Sequence, residues 1–178
     1  MKSVLISIQP QWCELIASGK KTIEVRKTKP KLDTPFKVYI YCTNNKDMLW
    51  ILKESERESR RKITSIFTAK DVGGATKANG KVIGEFVCDE ILDCRDVNMD
   101  NTCLTVEEWL KYTKGHKGVV YGWHISNLVI YDKPRELSEL YVPVKDHWET
   151  YNPSNYINGC WQKTLQRPPQ SWCYVEGV

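Results

Sequence analysis

Short apolar runs, each cut off by proline or glycine, limit what this chain can fold into. Val4 to Ile8 reads as a strand and stops at Gln9-Pro10. Thr22 to Arg26 alternates strictly, with Thr22, Glu24 and Arg26 on one face and Ile23 and Val25 on the other. Phe36 to Thr43 is a third strand, rich in aromatic and β-branched side chains. Lys81 to Cys94 predicts a long strand bent near Asp89, Gly122 to Tyr131 a further one, and Trp172 to Val175 the last. None of these runs reaches the roughly 18 uncharged apolar residues of a membrane span, so no membrane association is expected. At 178 residues and 41% hydrophobic composition, one domain with a sizeable core is expected over 1–178.

Helices fit between the strands only in short pieces. Pro10 suits a first helical turn, Trp12, Leu15 and Ile16 share one face, and Gly19 supplies the left-handed closing residue. Thr105-Val-Glu-Glu108 is a capping box, opening a helix through Trp109 and Leu110 that stops at Gly115. Leu49 to Lys62 is charged and predicts another helix, contributing Leu49, Leu52 and Trp50 as apolar residues; residues 44–79 as a whole read as a surface insertion. Pro134 to Pro143 and Asn152 to Pro169 read as irregular. Strands with short helices and little βαβ alternation imply an α+β domain, a small mixed or antiparallel β-barrel with short flanking helices and a helical insertion.

The seven cysteines form no CxxC pair, and the three histidines lie at no metal-ligand spacing from them. A reduced, cytoplasmic protein without metal or cofactor is therefore expected. The net charge of +4 is unevenly spread. Residues 1–40 carry Lys2, Lys20, Lys21, Arg26, Lys27, Lys29, Lys31 and Lys37 against Glu14, Glu24 and Asp33, a local excess of +5. Such a patch attracts phosphates whatever the total charge, or is simply a solvated lysine-rich face.

The densest chemistry lies in Gly19 to Lys27, GKKTIEVRK. A cation, an anion and a guanidinium (Lys21, Glu24, Arg26) can orient a planar polar ligand through donors, an acceptor and a point charge. The alternative is an exposed strand face with an incidental ion pair. The stretch ISIQPQWCELIASGKKTIEVRK resembles the opening of the ASCH family, a group similar to the PUA β-barrels, and its GxKxxExR signature is matched by Gly19, Lys21, Glu24 and Arg26. GKVIGEFVCDEI at 80–91 and YGWHISNLVIYDKP at 121–134 resemble the strands that complete that barrel.

The resemblance implies a cleft beside the barrel, suited to RNA or a modified nucleotide, with Lys21, Glu24 and Arg26 as ligand-binding residues. Bases bind by stacking and by hydrogen bonds to their edges. Trp12, Trp123 and Trp172 are the candidate stacking surfaces, their alternative use being core packing. In the tail RPPQSWCYVEG, Gln170 and Trp172 could serve as edge reader and stacking plate, or the tail could be only a strap.

Some short relatives are implied to be amidohydrolases that deacetylate N4-acetylcytidine, with a lysine activating a threonine nucleophile and a glutamate assisting. Lys21 matches that lysine, but Glu24 stands in the threonine's place. Ribonuclease chemistry is the other enzymatic expectation. If the chain is an enzyme, Lys21 and Glu24 are its catalytic candidates.

Overall fold

The computed structural model describes residues 2–52, 66–68, 75–114, 119–143, 156–157 and 160–176. Strand β1 (Lys2–Ile8) leads through helix α1 (Pro10–Ala17) to β2 (Ile23–Arg26) and β3 (Phe36–Cys42). Then come β4 (Leu49–Ile51), β5 (Ile66–Thr68), β6 (Thr76–Lys77), β7 (Val82–Cys88) and β8 (Ile91–Asp93). Helix α2 (Val106–Thr113) precedes β9 (Tyr121–His124) and β10 (Ser126–Arg135). The chain finishes with β11 (Tyr141–Pro143), β12 (Tyr156–Ile157), β13 (Cys160–Thr164) and β14 (Trp172–Glu176).

The expected α+β class is what folds. One eight-stranded sheet runs β10-β7-β3-β1-β14-β11-β13-β12, accompanied by two three-stranded sheets, β2-β9-β8 and β5-β4-β6. Among the described residues the strands do not close into a barrel. No helix among them is long and apolar enough to cross a membrane.

Strands β1 and β3 pair in parallel at the middle of the large sheet, and apolar residues cover both of their faces. Val4, Ile6 and Ile8 join Val38, Ile40, Phe86 and the α1 residues Cys13 and Ile16 in one cluster. Leu5 joins Tyr39, Tyr41, Val82, Leu140 and Val175 in the other. Burial on both faces is the usual setting of a parallel pair. It explains why Val4 to Ile8 shows so little polar alternation.

Several sequence expectations need correction. Leu49–Ile51 is a strand, not the start of a helix; Leu49 and Ile51 are buried with Trp50 only half-buried between them, a period of two. The rest of that expected helix, 53–62, lies outside the described residues. Within the stretch 44–79, Leu49, Ile51 and Ala78 pack in the main cluster. Buried Asn79 fastens it, accepting from Leu49 N (2.8 Å) and donating to the Asp47 carbonyl (2.9 Å).

The two long strands are each split between sheets. After β7 the chain leaves the large sheet at Asp89-Glu90, and β8 pairs with β9. Gly122 to Tyr131 likewise divides at Ile125, whose N–H donates to the Thr22 carbonyl (2.9 Å), with Asn127 in the left-handed region at φ 47° and the register shifted between Ser126 and Val129. Gly122 makes the second sheet possible, because a Cβ there would lie 2.7 Å from Val97 Cγ2 and 2.9 Å from Ile23 Cγ2. The stretches read as irregular contain β11, β12 and β13. Pro134 is accommodated because β10 is an edge strand.

Candidate functional site

Helix α1 sets where the charged row begins. Gly19, at φ 73°, lets the chain reverse; its N–H donates to the Ile16 carbonyl (2.9 Å) and the Lys20 N–H to the Leu15 carbonyl (3.0 Å). This is a Schellman closure, and it delivers Lys21 to the start of β2. Strand β2 pairs antiparallel with β9, placing Glu24 opposite Trp123 and Arg26 opposite Tyr121.

Lys21, Glu24 and Arg26 are only 2%, 7% and 9% exposed, so the incidental surface pair is excluded. Glu24 sits between the cations, 3.4 Å from Lys21 Nζ and 3.0 Å from Arg26 Nη2. Each cation also donates to a backbone carbonyl: Lys21 Nζ to Thr102 (2.6 Å) and Arg26 Nη2 to Ser7 at the end of β1 (2.7 Å). Thr102 belongs to a short 3-10 turn, Met99–Thr102, whose Asn101 carbonyl also accepts from Thr22 N. Arg26 Nε is buried without a hydrogen-bond partner among the described residues. Leaving such a donor unmet costs about 1–3 kcal/mol unless a water or ligand meets it.

All three line one cavity of about 890 Å³. Its walls come from the C-terminal ends of β1 and β3, the first turn of α1, β2, the Pro168-Pro169-Gln170 segment and one face of α2. Trp12 stands in this wall with Lys21 Nζ 5.3 Å from its ring centroid, close enough for a cation–π contact. Gln170 also lines it, carried on a strap pinned by Ser7, whose Oγ donates to the Pro169 carbonyl (2.7 Å) and whose N–H donates to the Ser171 carbonyl (2.9 Å).

The other two tryptophans lie elsewhere. Trp123 is fully buried in the core, its ring 6.0 Å from Phe36 edge-on and 5.9 Å from Trp172. It has no face left for a base. Trp172 packs between Trp123 and Tyr174 and donates Nε1–H to Thr28 Oγ1 (3.0 Å), outside the cavity lining. Thr22 does not reach the lining either. His124 pairs with Asp89 (2.7 Å), and that hydrogen bond holds the Asp89 carboxyl below its usual range.

Sequence reasoning missed the α2 wall. Glu108, Lys111 and Tyr112 all line the cavity. The capping box is present, with Glu108 N donating to Thr105 Oγ1 (3.2 Å) and Thr105 N to Glu108 Oε2 (2.8 Å); the Thr105 amide keeps the Glu108 carboxyl low. Tyr112 OH reaches the Val25 carbonyl (3.3 Å), and burial raises its pKa. The spacing 108, 111, 112 puts these three on one helical face, the signal that could have found them.

A mixed α+β domain with a buried cation–anion–cation row on the wall of a cavity is thus defined. The sequence model of the ASCH domain matches residues 6–156, most of the chain. The protein belongs to the ASCH domain family. Among solved structures it is similar to the ASCH protein of Zymomonas mobilis, at 17% identity and a TM-score of 0.55, covering 98% of this chain and 87% of that one. Two single-residue mutants of the Zymomonas protein superpose as well, with TM-scores of 0.55 and identities of 16% and 17% over 99% and 98% of this chain, and 91% and 88% of theirs. These likenesses concern the fold alone. No curated protein matches the sequence.

Proposed function

We propose that this ASCH domain, on a PUA-like frame, binds RNA or a modified nucleotide in the cavity lined by Lys21, Glu24 and Arg26, and does so in the cytoplasm. The observation that carries this reading is the burial of three charged side chains on one cavity wall. Buried ions are costly, and their retention here has a use if they orient a polar ligand. Trp12 adds a stacking surface and Gln170 a carboxamide that can match a base edge.

Filter binding with short single-stranded RNAs across a salt series tests this. Affinity should fall with salt, and Lys21→Ala or Arg26→Ala should weaken binding at every salt concentration. A salt-independent affinity would count against the charged row.

The hydrolase reading has one observation in its favour, the Lys21–Glu24 contact at 3.4 Å. Yet Lys21 is tied to the Thr102 carbonyl and Glu24 to Arg26, leaving neither free as a base. Two hydroxyls of the lining, Ser7 and Tyr112, are committed to the Pro169 and Val25 carbonyls. A carboxylate attacking an amide would form a mixed anhydride, a poor substitute for the ester a hydroxyl gives. Chromatography of N4-acetylcytidine incubated with the protein should therefore show little cytidine. Turnover on the order of one per second or faster, abolished in Glu24→Ala, would favour the enzyme.

A further inference from the structure

The cavity wall is divided by charge. Every charged residue in it comes from β2 with its approach, or from α2: Lys21, Glu24, Arg26, Lys27, Glu108 and Lys111. The rest of the lining from β1, α1, β3 and the strap contributes only neutral polar and apolar side chains, among them Ser7, Gln9, Gln11, Thr43, Asn44 and Gln170. Four of those are carboxamides, each offering a donor and an acceptor in one plane.

The charged wall is itself unbalanced. Its four cations face two carboxylates. Glu24 is shared by Lys21 and Arg26, and Glu108 is spent on its own helix cap. Lys27 and Lys111 have no carboxylate partner among the described residues; Lys27 Nζ lies instead 5.1 Å over the Tyr112 ring. Lys111 is exposed and Lys27 partly exposed, and both line the cavity.

Resting on the RNA or nucleotide reading above, we infer that the ligand unit is a nucleoside carrying a phosphate, and that the cavity holds it in one orientation. The phosphate meets Lys27 and Lys111 on the β2–α2 wall. The base meets the carboxamide wall, with Trp12 as its stacking plate and Gln170 reading its edge. A volume of about 890 Å³ accommodates both parts at once.

Calorimetric titration of the full chain at fixed low salt is the test, using the four ribonucleosides, their 3′- and 5′-monophosphates, inorganic phosphate and a tetranucleotide RNA. At least one monophosphate series should bind about tenfold or more tighter than its nucleosides, the usual worth of charge-assisted hydrogen bonds, and tighter than inorganic phosphate. Lys27→Ala/Lys111→Ala should remove most of that advantage. Gln170→Ala should weaken nucleoside and monophosphate by one common factor, keeping their ratio. Equal affinity for nucleoside and monophosphate overturns the inference, as does phosphate binding as tightly as the nucleotide. If the tetranucleotide binds in either of those cases, the broader reading survives; if neither RNA, nucleoside nor nucleotide binds, the RNA part of that reading falls as well.

Discussion

Glu24→Ala should destabilise the folded protein by about 3–5 kcal/mol, the range for removing one partner of a buried ion pair. The alanine would leave Lys21 and Arg26, 2% and 9% exposed, facing each other without the carboxylate both now touch. Their remaining partners are the carbonyls of Thr102 and Ser7, which carry no full charge. Removing all three charges should behave differently. Lys21→Met/Glu24→Leu/Arg26→Met removes the desolvation cost together with the attraction, so its stability should lie close to that of the unaltered protein. Urea unfolding of the two variants decides the matter. A loss under about 1 kcal/mol for Glu24→Ala, the level of an exposed pair, would show the row is solvated and structurally idle. The triple variant adds a functional test, since it should fold yet lose RNA binding.

The charged row was legible because three levels of the sequence agree. Glycine at 19 ends α1 in the left-handed region, alternation from Thr22 sends Glu24 and Arg26 to one side, and the family signature falls on those positions. The capping box at Thr105 was equally readable, being a local exchange of hydrogen bonds that needs no tertiary context. What was hidden depends on contacts far apart in the chain. Leu49-Trp-Ile51 is too short to reveal its period, and it becomes a strand because β5 and β6 flank it and Asn79 caps it from 30 residues away. Strands β12 and β13 carry no alternation and pair at the margin of the large sheet. The splitting of Gly122 to Tyr131 comes from a bulge and from a hydrogen bond between Ile125 and Thr22, neither of which a hydrophobic pattern encodes. Arg26 shows the same limit inside the site: alternation gives its side, but not that the Ser7 carbonyl of β1, on the edge facing the tail, accepts from it.

The tryptophans show how burial separates two residues that composition treats alike. Trp123→Ala should cost about 3–5 kcal/mol, the range for truncating a large buried aromatic. The ring is fully enclosed and holds together a chain of aromatic contacts from Phe36 through Trp172 to Tyr174. It also faces Glu24 across the β2–β9 ladder, so the loss should loosen the strand that carries the charged row. Trp12→Ala should do the reverse. Its ring is half-buried in the cavity wall, beneath Lys21 Nζ, so stability should fall much less than for Trp123→Ala. Affinity for single-stranded RNA should drop by about 1–3 kcal/mol, the worth of one base stacked on an aromatic ring. Thermal unfolding and filter binding on both variants give four numbers, and the expected pattern is crossed: stability lost at 123, binding lost at 12. Binding that survives Trp12→Ala while the protein stays folded would remove the stacking plate from the site and leave recognition to the charged row and the carboxamides of the lining.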